Sequence, residues 1–403
     1  MNLLFLTPGL PYPPHQGTAM RNWGLISQLA REHEIALLSF KQPGESVQSE
    51  LTAACVRVET APAPRRSQFD RLSRLAFSSA PDLAWRLEAD AFRVRLRRML
   101  ANEPVDIVQI EGLEMGRYAA TIRRGAPGVP IVYDAHNAET LIQRRALHTD
   151  LRQIRRWPQA LYSAVQLPRL RRFERRVCAK ADAVVCVSPA DARALQRPAT
   201  IVPNGILMAD YTRYRPGSPL PEAAIVFTGK MDYRPNVDAA RWFARRILPR
   251  VRARVPQAQF LVVGKNPAAA VRALDRLPAV TVTGAVPDVR PYIAGAALFV
   301  APVRMGGGTR FKILEALAMA RAVVATSIGA EGFDVASGRE LVIADEPEAF
   351  AAACVELLGA PGRAAQLGAA GREFVAANYE WERIVPALTR LYERLAVATA
   401  RAN

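Results

Sequence analysis

The stretch ALFVAPVRMGGGTRFKILEALAMARAVVAT, residues 297–326, holds a complete structural unit. Ala297, Leu298, Phe299, Val300 and Ala301 form a continuous apolar run ended by Pro302, as expected of a strand covered on both faces. Gly306, Gly307 and Gly308 make a turn, and Ile313, Leu314, Ala316 and Leu317 then recur at helical spacing. Ala322 to Thr326 supplies a second apolar strand. Strand, glycine turn, helix, strand is a βαβ unit, which requires parallel sheet. The turn, with Thr309 following it, combines backbone amides unobstructed by Cβ atoms, a helix N-terminus and the cations Arg310 and Lys312. Those groups suit a phosphate. Glu315 follows about one turn into the helix and can reach groups beside a phosphate, so the expected ligand is a nucleoside diphosphate derivative.

The same alternation continues in both directions. Earlier strands are expected near Leu3–Thr7, Ile35–Phe40, Val56–Glu59, Ile107–Ile110, Ile131–Ala135 and Ala183–Val187. Later ones are expected near Ala224–Thr228, Phe260–Val263, Val280–Thr283, Ala297–Ala301, Ala322–Thr326 and Leu341–Ala344. Two sets of about six strands with intervening helices imply two doubly wound α/β domains. Their expected limits are residues 1–208 and 217–379, joined near Thr212–Pro221, which is rich in Pro, Gly and Arg.

Composition bounds the partners. At 403 residues the chain can bury two cores. Half of it is hydrophobic, yet no apolar run approaches a membrane span, so a soluble protein is expected. Met1 to Pro8 reads as a first core strand rather than a signal peptide. Cys55, Cys178, Cys186 and Cys354 show no paired spacing, which argues against a disulfide framework or a metal site and fits a reducing cytoplasm. The formal charge is +17, and residues 144–180 concentrate much of it, with eleven basic residues against Asp150 and Glu174. Trp157, Leu161, Tyr162, Val165, Leu167 and Leu170 are interleaved with those arginines. Pro158 and Pro168 predict two short helices there rather than a single long one. Such a segment is a candidate contact for an anionic membrane surface on the inner face of the cytoplasmic membrane. No nucleic-acid motif accompanies the charge, and no nucleic acid is expected.

Ligands of doubly wound sheets bind at the carboxyl ends of the strands. After the first strand, Gly17 marks a helix start where backbone can approach a ligand. After the fifth, His136, one of four histidines, sits between Asp134 and Glu139. In the second half, Gly229 and Lys230 end one strand, with Arg234 close behind, and Gly264 ends the next. Gly284 to Asp288, with Val286 at its centre, completes the rim and can hold a nucleobase through backbone groups. Only five of the 54 cations are lysines, yet Lys230 and Lys312 both fall at glycine-bearing strand ends, where a compact charge suits a phosphate oxygen.

Together these motifs resemble the retaining glycosyltransferases of the GT-B fold, in the family 4 group, over nearly the whole chain. The nearest pattern is the branch with Gly-Gly-Gly-Thr-Arg before Lys-Ile-Leu-Glu-Ala, followed here by Ser327-Ile328-Gly329-Ala330-Glu331-Gly332. That branch contains bacterial enzymes of cell-surface and exopolysaccharide sugar assembly. The resemblance implies two Rossmann-like domains facing across a cleft, an N-terminal one for the acceptor and a C-terminal one for the donor. It also implies a closing helix, about residues 380–403, packed back on the first domain. Glu315 is similar to the second carboxylate of the family's paired-glutamate motif, which binds ribose hydroxyls. The first would fall at Gly307, so a group that touches the donor sugar in many members is missing. The family's diphosphate-binding pair maps onto Lys230 and Pro235, leaving Arg234, Arg310 or Lys312 to replace the second cation. His136 matches the histidine thought to contact the donor sugar near its reacting carbon.

The implied reaction moves a sugar from a nucleoside diphosphate to a hydroxyl of a glycan or lipid-linked acceptor. Catalysis would fall to His136, Lys230 and Lys312, and Gly17, Gly229, Arg234, Gly264, Val286, Gly307, Gly308, Thr309, Arg310 and Glu315 would bind the donor. No metal is expected, because no DxD motif is present, and no cofactor beyond the nucleotide-sugar donor. One alternative is an inverting transfer, or an epimerase, on the same fold, with His15, Asp134 or Glu139 as base. A second is a basic, non-catalytic protein binding nucleic acid or membrane.

Overall fold

Seven strands, all parallel, build the first sheet in this computed structural model, which describes residues 1–151, 156–212, 220–307 and 309–402. They are β1 (Asn2–Thr7), β2 (Glu34–Lys41), β3 (Arg57–Pro62), β4 (Ile107–Glu111), β5 (Ile131–Ala135), β6 (Ala183–Cys186) and β7 (Thr200–Ile201). Their spatial order is β3-β2-β1-β4-β5-β6-β7, so the winding reverses between β1 and β4. Every residue of β4 and β5 is buried, Gln109, Glu111 and Asp134 included, as expected of strands with helices on both faces. One face of this sheet, including Leu4, Phe40, Ile110 and Tyr133, packs with Phe92, Leu96, Leu170 and Val177 from the covering helices. The two-residue β7 is too short for a hydrophobic pattern and was not expected.

Six parallel strands form the second sheet: β8 (Ala224–Thr228), β9 (Gln259–Val263), β10 (Val280–Gly284), β11 (Leu298–Ala301), β12 (Val323–Ala325) and β13 (Val342–Ile343). The order β10-β9-β8-β11-β12-β13 reverses between β8 and β11. Phe227, Phe243, Phe260, Val300 and Phe350 belong to a single core there. Backbones meet at the carboxyl ends of β8 and β9. A Cβ on Gly264 would lie 1.7 Å from the Gly229 carbonyl oxygen, so glycine is the residue that position admits.

The two doubly wound α/β domains read from the sequence are thus present. The compact units comprise residues 1–204 with 384–403, and residues 205–383. The first unit ends before the expected limit at 208 because Ile206 is bonded within the second: its N–H donates to the Tyr379 carbonyl at 2.7 Å. Much of the expected linker Thr212–Pro221 lies outside the described residues, as do Arg152, Arg155 and Gly308. One expectation fails. Residues 157–180 form a single helix, Trp157–Lys180, that runs through Pro168. Pro158 occupies its first turn, where a missing N–H costs nothing, so only Pro168 removes an internal hydrogen bond. Packing of Leu170, Val177 and Cys178 in the unit's core offsets that loss.

Candidate active site

In the second unit the loop residues converge on one asparagine. The Lys312 ammonium donates to Asn236 Oδ1 at 2.8 Å, and Asn236 Nδ2 donates to the Lys230 carbonyl at 2.9 Å. The helix Phe311–Ala318 is thereby tied to the turn after β8. Lys312 also lies 4.1 Å from the Phe227 ring centroid, a cation–π contact. Gly229 keeps this arrangement open, since a Cβ there would meet Asn236 Nδ2 at 2.6 Å and Lys312 Nζ at 2.9 Å. Burial, with the nearby Arg310 charge, pushes Lys312 down to about 7. A phosphate would supply the missing counter-charge.

The rest of the loop points the same way. The helix Phe311–Ala318 starts with no side-chain cap and no acid in its first turn, so its positive end is uncompensated. Arg310 donates to the Gly307 carbonyl and curls under Gly306, whose φ of 114° is accessible to glycine. Thr309 is buried, and Gly332 covers it at a distance where a Cβ would meet Thr309 Oγ1 at 2.9 Å. Thr326 Oγ1 donates to the Val303 carbonyl and accepts from the Gly329 N–H, binding the ends of β11 and β12 together. Glu315 accepts from the Tyr211 hydroxyl at 3.2 Å, and burial pushes its carboxyl up to about 7. Beside Tyr211, Arg290 pairs with Asp288 through two nitrogens and donates to the Asp210 carbonyl. Lys230 is exposed, 3.4 Å from Asp232, while Arg234 opens the helix Arg234–Trp242 and Val286 is half-buried beyond β10.

The first unit holds His136 and Gly17. Gly17 opens the helix Gly17–Leu29 after β1 and is exposed. His136 Nε2 lies 2.6 Å from Glu111 Oε2 at the end of β4. Burial opposes a charge on this imidazole, but the Glu111 bond and the Glu111 and Asp134 carboxylates outweigh it, and its pKa is raised. Glu111 accepts from Gln109 Nε2 at 2.6 Å and from the Asn22 amide at 2.9 Å, and Gln109 accepts from the Tyr392 hydroxyl. Asp134 is gripped by both edge nitrogens of Arg21 at 3.0 Å. The third nitrogen of Arg21 donates to the Val202 and Pro203 carbonyls and to Asn204 Oδ1. Arg21 therefore joins the end of β5 to the segment after β7, which accounts for the polar Pro203-Asn204-Gly205 stretch. Glu111, Asp134 and His136 could present three metal-ligand atoms, but Arg21, Gln109 and Asn22 already occupy the carboxylate oxygens.

Residues 16–206 match the family described as "Glycosyl transferase 4-like domain", and residues 222–360 match "Glycosyl transferases group 1". The chain is a glycosyltransferase. Sucrose-phosphate synthase from Thermosynechococcus elongatus shares its fold, with a TM-score of 0.73 at 18% identity over 99% of this chain and all of that one. So does HepE from Anabaena, solved with UDP and glucose, with a TM-score of 0.68 at 13% identity over 98% of this chain and all of that one. These likenesses place the glycosyltransferase in the GT-B fold. A trehalose synthase from Rubrobacter xylanophilus is 39% identical over 83 residues, 21% of this chain. That match spans only 20% of the synthase's length.

Glu111, Arg21, Asn236 and Tyr211 are among the members of these networks that escape sequence reading. Glu111 had a legible signal, since it ends the fourth strand and a carboxylate at a strand's carboxyl end is a site candidate. Asn236 sits two residues past Arg234 in a helix start, where an asparagine reads as an ordinary turn residue. Arg21 and Tyr211 gave no signal, because their partners are 113 and 104 residues away.

Proposed function

We propose that this glycosyltransferase moves a hexosyl group from a nucleoside diphosphate sugar to a hydroxyl of a glycan or lipid-linked acceptor, retaining the anomeric configuration. The observation that carries the donor half is the convergence of Gly229, Asn236, Lys312 and an uncapped helix start on one loop. The fold shared with HepE, solved with UDP and glucose, supports the same ligand class. Lys312, whose charge burial has weakened, regains it when the diphosphate binds, and this stabilises the departing phosphate. Glu315, steadied by Tyr211, receives the ribose hydroxyls. In the transfer, the bond from the anomeric carbon to the phosphate oxygen breaks and a bond to the acceptor oxygen forms on the same face. The acceptor proton passes to the leaving phosphate, so no protein base and no metal are needed. His136, held by Glu111, is the residue that the family resemblance assigns to the donor sugar.

A panel of nucleotide sugars, scored by thermal stabilisation and slow hydrolysis, tests the donor class. The anomeric configuration of the product, read by NMR, tests retention. An inverted product would favour the inverting alternative. Glu139 would then be the base, because burial and the neighbouring Glu114 and Glu174 push it up to about 7, whereas Asp134 is locked to Arg21.

The motif branch supports a role in surface polysaccharide assembly, with the enzyme on the cytoplasmic side of the membrane. Among the described residues no helix is long and apolar enough to cross a membrane. The helices Glu139–Leu151 and Trp157–Lys180 expose Leu151, Trp157 and Leu161 where they approach each other in sequence, beside the arginines of residues 144–180. Exposed apolar groups in a cation-rich segment suit an anionic interface. Sedimentation with anionic rather than neutral liposomes checks this; equal sedimentation would reject it.

A further inference from the structure

The first unit carries a cavity whose lining includes none of the Glu111–His136 network. It measures about 430 Å³ and lies between the Ser78–Ala80 turn, the segment Leu113–Tyr118 with the helix Ala119–Gly125, and the end of the helix Trp157–Lys180. Arg93, Arg117, Arg124, Arg176 and Lys180 line it, beside the indole of Trp85. No carboxylate does, among the described residues.

Part of this lining is held in place before any ligand arrives. Arg117 lies 3.9 Å from the Trp85 ring centroid, with its Nε 2.7 Å from Glu88. Arg93 also pairs with Glu88, and with Asp90 at 3.2 Å. The Trp85 indole N–H donates to Ser78 Oγ at 3.0 Å, and Ser78 Oγ accepts from the Ala80 N–H at 3.1 Å, which fixes the rim turn. The floor is equally tight. A Cβ on Gly116 would come within 2.5 Å of Val177, so the helix Trp157–Lys180 seats directly on the backbone there. By contrast, Arg124, Arg176 and Lys180 are exposed and have no carboxylate partner among the described residues.

Gathering cations with so little counter-charge is unfavourable unless an anion completes the set. A concavity of this volume, with a fixed aromatic wall and cations on several sides, matches a small ligand rather than a flat protein partner. We propose that this cavity binds the phosphate or diphosphate group of a small ligand or lipid. The guanidinium forks hold its oxygens, and Trp85, on which Arg74 and Arg117 stack, fixes the wall they stand on.

The test compares full-length protein with the Arg124→Ala/Arg176→Ala/Lys180→Ala variant in calorimetric titrations with pyrophosphate. Both proteins keep Gly229 and Lys312, so binding at that loop is common to the two titrations. The expected result is one pyrophosphate site per chain that is weakened at least tenfold in the variant. A second arm measures sedimentation with phosphatidylcholine vesicles containing phosphatidic acid. Loss in the titration alone identifies a soluble phosphorylated ligand and loss in both means the cavity accepts either, whereas loss in sedimentation alone overturns the proposal, because Arg176 and Lys180 also belong to the proposed membrane surface of residues 144–180. Equal behaviour in both arms overturns the proposal. Arg176→Glu, a single change on an exposed helix face, gives an independent reading if the triple variant's unfolding temperature has dropped.

Discussion

Replacing Arg21 with lysine keeps a positive charge but loses the planar fork that holds Asp134 and the carbonyls of Val202 and Pro203. With the pair fully buried, Arg21→Lys is expected to destabilise the protein by about 3 kcal/mol or more, measured by denaturant unfolding. Lys312 predicts a different effect. Its folded pKa of about 7 lies below the usual lysine value, so the folded protein gives up this proton before the unfolded chain does. Stability is therefore reduced at low pH and rises as pH increases through 7 toward the unfolded value. Near pH ~8 the amine is mostly neutral, and an arriving diphosphate recharges it. Nucleoside diphosphate binding at that pH should take up close to one proton, seen as a dependence of calorimetric enthalpy on buffer ionisation. Lys312→Met should abolish the dependence. A variant that retained it would show that Lys312 does not face the phosphate.

At the scale of elements, the close approach of β8 and β9 admits a sharp test. Gly264→Ala places a methyl group on the Gly229 carbonyl, which must move, and Gly229 carries the turn that Asn236 holds. Nucleotide affinity is expected to fall more than tenfold while the first unit's unfolding is unchanged, read by calorimetry and by denaturant unfolding. The terminal helix Trp381–Ala402 has a comparable role in the first unit. Tyr392 bonds Gln109, Gln109 bonds Glu111, and Glu111 bonds His136, so a helix late in the chain sets the orientation of an imidazole on β5's loop. Tyr392→Phe strands a buried amide oxygen and should cost about 1–3 kcal/mol. Turnover should fall while KM for the donor stays near its original value, because positioning is lost rather than the donor loop.

For the whole molecule, the donor reading makes a quantitative demand. A nucleoside diphosphate sugar present at a hundredfold above its Kd should raise unfolding free energy by about 2.7 kcal/mol, and the corresponding monophosphate at equal concentration by much less. Equal stabilisation by the two would remove the diphosphate from the argument. The +17 charge serves two uses on the proposals above, an apolar, arginine-flanked pair of helices for a membrane and a cavity for phosphate, with Arg176 and Lys180 common to both. Both lie in the first unit. Salt should weaken each, the exposed surface more than the partly enclosed cavity.

The sequence by itself determined the two parallel sheets, because continuous apolar strands alternating with amphipathic helices admit little else. It also determined the glycine loop, where strand ends, Gly229, Gly264 and the cations Lys230 and Lys312 are local features that a linear reading can see. Residues 157–180 show the limit of such reading: Pro168 signals a break, and only packing against the first unit's core reveals that the helix continues. The tertiary structure alone decided which polar groups meet. Arg21 finds Asp134, Tyr392 finds Gln109, and five cations from four separate elements line one cavity beside Trp85. The two pairings span 113 and 283 residues, and each follows from burial: a polar group closed off from water must find a partner, wherever in the chain that partner lies.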